Sequence, residues 1–276
     1  MLLAIDCGNT NIVMSVFDGD LIFCQWRRET GTSEQISEYR EEMVRYLAQK
    51  SRKISDIRGC IIASVVPNLT PNLVAFSRSE LGINAVVVGE PGVRLNLEID
   101  IVKPAEVGAD RLVNAVAVAH LDKVPAIIVD FGTATTFDIV HAPKSDNFCA
   151  CYAGGVISPG VHRSSEALTM AAAQLPQIEV DQFDRSMPVL GSSTVSAMRS
   201  GILWGYVGLV EGILRRLEAE AGYEFTKIAT GGLASVFVPH LPMITSIQPD
   251  LTVKGLKRIY DMNNPDTFIS GKQNIV

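Results

Sequence analysis

Two short stretches combine a carboxylate with residues small enough to let an anion approach the backbone: Asp6-Cys7-Gly8-Asn9-Thr10-Asn11, and Asp130-Phe131-Gly132-Thr133-Ala134-Thr135. Glycine turns the chain tightly, while Asn and Thr present small donors beside backbone N–H groups, the arrangement a phosphate needs. An aspartate ending the preceding strand can hold a cation beside those phosphates, directly or through water. Either stretch alone reads equally well as a hairpin with Asx-turn chemistry. Two of them in matching local context, about half a chain apart, point to phosphate binding. A third loop, Thr230-Gly231-Gly232, would let a nucleotide lie against the backbone, although by itself it is an ordinary strand-to-helix turn.

Phosphoryl transfer to an alcohol also needs a carboxylate to orient or deprotonate the hydroxyl. Gly108-Ala109-Asp110-Arg111, in the first turns of a predicted helix, supplies a carboxylate and a guanidinium. Spacing alone favours the plainer reading of an Asp at a helix N-terminus and an Arg in a surface ion pair. Other chemistries find less support. There is no Walker A sequence, no GxGxxG opening a helix and no GxSxG elbow, and His120, His141, His162 and His240 are scattered.

The elements that must position these residues follow from hydrophobic pattern. Leu2–Ile5, Ile12–Phe17 and Leu21–Trp26 read as three strands, and Thr32 and Gln35 have capping-box spacing ahead of a helix carrying Ile36, Tyr39, Met43 and Leu47 on one face. A strand over 61–66, a helix capped by Thr70-Pro71 and running to about Leu81, a strand over 85–88, an alternating strand over 93–99 and a helix from near Glu106 come next. Ala126–Val129, ending in Asp130, then repeats the opening of the chain. Gly154-Gly155 and Ser158-Pro159-Gly160 read as glycine-rich turns, followed by helices over 164–174 and 194–221 and a strand over 227–229. Alternating strands and helices predict an α/β fold with a largely parallel sheet, and the repeated motif predicts duplicated domains facing across a cleft, residues 1–120 and 121–276.

Composition sets the frame. The 276 residues are 47% hydrophobic and 20% charged, with net charge −6, and contain no apolar run of membrane-spanning length. The acidic balance and the lack of a Lys/Arg stripe oppose nucleic-acid binding. The start, Met-Leu-Leu-Ala-Ile-Asp, reads as a first strand and not a signal peptide; five cysteines without a CxxC pair read as reduced thiols, and the expected compartment is the cytoplasm.

Taken together, Asp6–Asn11, Pro104–Ala115, Asp130–Thr136, Gly154–Gly160 and Thr230–Gly232 resemble the type III pantothenate kinases of the acetate and sugar kinase/Hsp70/actin superfamily. The resemblance implies two duplicated ribonuclease-H-like (actin-like ATPase) domains and ATP-dependent phosphorylation of pantothenate at its 4′-hydroxyl, the first step toward coenzyme A. It implies that Asp6, Cys7, Gly8, Asn9, Thr10, Asn11, Ile12 and Val13 form the first phosphate loop, with Asp6 toward Mg²⁺, and that Thr133, Gly231 and Gly232 also meet ATP. Asp110 would be the general base, with Gly108, Ala109 and Arg111 binding pantothenate. Asp130 would hold a monovalent cation, K⁺ or NH₄⁺, and Thr194 would reach pantothenate from the partner subunit of a homodimer. Two positions depart from the family pattern: Ile101 stands where many members carry tyrosine, and Lys103 where they carry asparagine. Both would reshape the pantothenate pocket and leave the phosphoryl-transfer groups in place. The competing readings are a kinase of another small hydroxy acid or sugar, and a non-catalytic nucleotide-binding regulator.

Overall fold

The structure, a computed structural model, describes residues 1–31, 36–171, 175–180, 183 and 186–265. The chain forms two compact units. One holds Met1–Leu97, Val102–Leu121 and the segment beginning at Leu251; the other holds Glu98–Ile101 and Asp122–Asp250.

In the first unit, strands β1 (Leu2–Cys7), β2 (Asn11–Asp18), β3 (Leu21–Glu29), β4 (Gly59–Ser64) and β5 (Val86–Val87) form one sheet in the order β3-β2-β1-β4-β5. β1 to β3 are antiparallel, whereas β4 and β5 join in parallel. Leu3, Ile5 and Cys7 of β1 and Ile12, Met14 and Val16 of β2 share a core with Tyr39, Met43 and Leu47 of helix α1 (Ile36–Ala48) and Leu73 and Phe76 of α2 (Thr70–Leu81). The predicted capping box at Thr32 and Gln35 lies outside the described residues. α2 begins one residue earlier than its Thr-Pro signal suggests: Leu69 is the cap, and the Thr70 hydroxyl donates to the Val66 carbonyl.

Pro104–Glu106 forms a 3₁₀ turn, and α3 (Ala109–His120) starts after it. Helix α7 (Leu251–Asn263) packs on α3, β1 and β4. Gly255 is required there, since a Cβ would overlap the Val113 carbonyl, and Thr252 donates to Asn114 Oδ1 at 2.8 Å. The expected division at residue 120 did not anticipate this return of the last helix. Its apolar face, with Leu251, Val253, Leu256 and Ile259 buried, is matched to the N-terminal unit.

The second unit repeats the plan. Its strands are β7 (Ala126–Phe131), β8 (Ala134–His141), β9 (Ala150–Pro159), β10 (Thr226–Thr230) and β11 (Ser246–Ile247), in the order β11-β10-β7-β8-β9, with the short β6 (Leu97–Ile99) added at the β9 edge. β1 and β7 share one burial pattern, alike down to the half-buried aspartate in fifth place. The inner face of this sheet packs Ile127, Val129, Phe131 and Phe137 against Leu203, Tyr206 and Val210 of α5 (Thr194–Ala221) and Phe237 of α6 (Ala234–Phe237).

Two readings of pattern are corrected. Gly154-Gly155 and Ser158-Pro159 are not turns but lie within β9, where Gly154 takes φ +93° beside a shift of register between Asp138 and Val140. Ladder bonds to β8 outweigh the local glycine signal. The alternating segment 93–99 is a strand only over Leu97–Ile99, because Gly92 and Asn96 adopt positive φ. Helix α4 (Val161–Ala171) starts ahead of its predicted position; residues 172–174 lie outside the described set.

Candidate active site

Each unit places its loop at the C-terminal end of its central strand, where α/β sheets bind ligands. In the first unit Asp6 is half-buried opposite Val13, and Cys7 is buried opposite Ile12. Burial pushes the Cys7 thiol up, partly opposed by a hydrogen bond with Ser64, so Cys7 is neutral packing and contributes to the loop through its backbone. The Gly8 N–H donates to the Asn11 carbonyl at 2.9 Å and closes the turn, leaving Asn9 and Thr10 exposed.

β4 connects this loop to Asp110. Val65, just past β4, donates its N–H to the Cys7 carbonyl at 3.0 Å, and its Cγ1 would lie 3.4 Å from a Cβ on Gly108. Asp6, the loop, Gly108 and Asp110 therefore gather at one end of the parallel pair β1 and β4. Gly108 caps α3. Any side chain there would meet Asp110, because a Cβ would sit 2.6 Å from Oδ1. The Arg111 N–H donates to that same oxygen at 2.8 Å. Burial raises the Asp110 pKa above the ordinary carboxylate value, opposed by the Arg111 amide and charge and by its own N–H. A carboxylate so held and so shifted has the attributes of a base. Ala109 is half-buried beside it.

In the second unit Asp130 is half-buried, opposite Thr136 on β8 and in parallel register with Thr230 on β10. Gly132 closes the turn by donating to the Ala134 carbonyl at 3.2 Å, and Thr133 is exposed. Gly231, at φ +90°, lies against Asp130: a Cβ would overlap Oδ1 and stand 2.6 Å from the Phe131 nitrogen. Gly232 is exposed beside it. The Tyr206 pKa is raised by burial and then by the Asp130 charge, so its phenol stays protonated. Thr136 and Tyr152 donate to the buried Asp138 carboxylate at 3.0 and 2.9 Å. Thr194 is exposed in the first turn of α5, whose N-cap Ser193 accepts the Ser196 N–H.

The donors suit hard cations. Asp6 and Asp130 offer carboxylate oxygens at strand ends next to glycine turns, and Gly231 lets the backbone pass close against Asp130. Among the described residues no group of three His, Cys, Asp or Glu forms a metal cluster, and no helix is long and apolar enough to cross a membrane. Motif reading missed three residues that support the loops, Thr30, Val65 and Gly160. Only Gly160 carried a local signal, in Ser158-Pro159-Gly160.

Duplicated β3-β2-β1-β4-β5 sheets with a carboxylate and a glycine turn on each central strand define the ribonuclease-H-like, actin-like fold. Solved structures share it: a protein described as a Baf family transcriptional activator from Campylobacter jejuni (TM-score 0.58, 17% identity, covering 96% of this chain and 99% of that one), and one described as an N-acetylmannosamine kinase from Listeria monocytogenes (TM-score 0.51, 13% identity, 96% and 99%). Such identities bear on fold alone. The type III pantothenate kinase model matches residues 2–216. Type III pantothenate kinases from Paramagnetospirillum magneticum and Geobacillus kaustophilus are 46% and 44% identical, over 96% and 95% of this chain and 98% of each relative. The chain belongs to the type III pantothenate kinase family.

Proposed function

We propose that the chain transfers the ATP γ-phosphoryl group to the 4′-hydroxyl of pantothenate, opening coenzyme A synthesis, with Asp110 as the base. One observation carries the assignment of roles: Asp110, raised by burial and anchored by the Arg111 N–H, stands at the strand ends that also bear the Gly8–Asn11 turn. Asp110 takes the hydroxyl proton as that oxygen attacks the γ-phosphorus in line. Gly108, Ala109 and Arg111 orient the alcohol. The loop over residues 8–13 and Thr133, with Gly231 and Gly232, hold nucleotide. Asp6 would hold Mg²⁺ and Asp130 a monovalent cation, K⁺ or NH₄⁺; bound there, these ions neutralise phosphate charge.

A homodimer completes the reading, with Thr194 meeting the pantothenate of the partner subunit. α5 supports it by setting Gly201, Gly205, Gly208 and Gly212 along one face, where a Cβ at the first three meets nothing within 4 Å among the described residues. Each glycine costs a helix about 1 kcal/mol relative to alanine, a sacrifice that close approach of a second copy would offset. Buried thiols at Cys7, Cys60 and Cys151 suit a reducing compartment, the cytoplasm.

The test is incubation of the protein with MgATP, K⁺ and pantothenate, following ADP release and the mass of the product. Controls replace K⁺ by Na⁺, Asp110 by Asn, and pantothenate by other small alcohols. Product dependent on Asp110 and K⁺ is expected; turnover unaffected by Asp110→Asn would sink the assignment of the base, and preference for another alcohol would sink that of the substrate.

A further inference from the structure

We propose that Thr30 and Gly160, the residues following the third strand of each repeat, are positioning residues that fix the two phosphate loops; this deepens the reading above and rests on it. The β2–β3 register ends at Asn11 opposite Glu29, and the β8–β9 register at Ala134 opposite Pro159. Thr30 and Gly160 thus occupy the same place in the two copies of the fold.

Both residues meet loop carbonyls. The Thr30 hydroxyl donates to the Gly8 carbonyl at 2.6 Å, and the Thr30 N–H donates to the Thr10 carbonyl at 2.8 Å, so one residue grips the loop at two of its peptides. In the second unit the contact is steric: a Cβ on Gly160 would overlap the Thr133 carbonyl oxygen and lie 2.7 Å from that of Gly132. The Gly160 carbonyl meanwhile accepts the Ser164 N–H at 3.0 Å, tying the same residue to the start of α4.

Peptide planarity converts this grip into function. In a trans peptide the carbonyl of one residue and the N–H of the next point in opposite directions. Holding the carbonyls of Gly8 and Thr10 toward Thr30 turns the N–H groups of Asn9 and Asn11 to the other side of the loop, and holding those of Gly132 and Thr133 toward Gly160 does the same for Thr133 and Ala134. Amides are thereby aimed, and carbonyl oxygens that would repel a phosphate are faced away from it. The first loop, with the longer turn, uses a hydroxyl; the second uses direct backbone contact, which only glycine allows.

The test compares Thr30→Val, which keeps shape and backbone but lacks the hydroxyl, with Thr30→Ser, which restores it. ADP affinity is read by calorimetry, KM for ATP and for pantothenate by ADP release, and folding by thermal unfolding. In Thr30→Val, ADP affinity is expected to weaken and KM for ATP to rise by about two- to tenfold, the worth of one hydrogen bond. KM for pantothenate should hold and Ser should restore both values. Unchanged ADP binding in Thr30→Val, equal impairment in Val and Ser, or parallel rises in both KM values would each overturn the proposal. Gly160→Ala is the second arm: a folded variant with wild-type ADP affinity would overturn the role of Gly160. A wild-type protein that binds no ADP would remove the phosphate-loop reading and this proposal together, whereas wild-type binding with an indifferent Thr30→Val removes the proposal alone.

Discussion

Replacing Gly108 by alanine isolates the position of Asp110 from its chemistry. The new Cβ would stand 2.6 Å from Asp110 Oδ1, while ordinary contact begins at 3.4 Å, so the carboxylate must give way by about 0.8 Å. Nothing else is forced. Gly108 sits at φ −59° and ψ 139°, values alanine adopts freely, and its other neighbour, Val65 Cγ1, is already at contact distance. The unfolded chain loses entropy, a gain of about 0.4–1 kcal/mol, against the weaker capping of alanine. Stability should therefore change by less than about 1 kcal/mol, a shift in Tm of ~2–4 °C. Turnover should not survive so well, because misplacing a reacting group by about 1 Å costs about 10²-fold. Moving the carboxylate also breaks its bond from the Arg111 N–H; that bond holds the Asp110 pKa down, so its loss raises the pKa and the acid limb of the rate profile should move to higher pH. The Gly8–Asn11 turn is untouched and KM for ATP should hold. ADP release across pH, with thermal unfolding of the same samples, measures all of this. A folded Gly108→Ala protein with wild-type kcat would refute the argument that this carboxylate, in this position, drives the reaction.

Asp110→Asn should lower turnover by about 10²–10⁴-fold yet leave the protein as stable or more so at neutral pH. The folded pKa lies above the unfolded one, so the contribution of Asp110 to stability is present at low pH and lost as pH rises through the folded value; asparagine removes that loss, and a denaturant titration at pH 7 showing destabilisation would contradict it. Gly231→Ala combines positive φ with overlap at Asp130 and Phe131. It should destabilise by roughly 2–5 kcal/mol by thermal or urea unfolding, and a variant within 1 kcal/mol of wild type would show that the loop adapts. Tyr152→Phe removes one donor to the buried Asp138, an expected loss of about 1–3 kcal/mol; an unchanged midpoint would mean that the remaining contacts suffice.

What could be read from the chain was local. An apolar run ending in Asp-x-Gly folds the same way wherever it occurs, so both strand hairpins and their aspartates were legible at residues 2–17 and 126–140. Helix α3 was visible from Leu112, Val113 and Val116, although Pro104 delayed its start into a separate 3₁₀ turn. Legibility failed where distant partners decide. Gly154 reads as a turn until β8 supplies a ladder for it, and Thr30 looks like any residue at the end of a strand until the β2–β3 register carries it to Gly8. Val65 likewise gains its place only because β4 runs beside β1.

Helix α7 has a consequence for how the protein is born. A ribosome releases the residues of β1 to α3 early, but the helix that covers α3, β1 and β4 follows only after Asp122–Asp250 have been made. At about 5–20 residues per second that interval lasts on the order of ten seconds. During it the nascent N-terminal unit must carry an unfinished flank at Val113, Asn114 and Gly59, which Gly255, Thr252 and Tyr260 of α7 later cover, and the unit encoded second has all its parts first. Synthesis halted at Asp250 would leave α3, β1 and β4 without the helix that covers them.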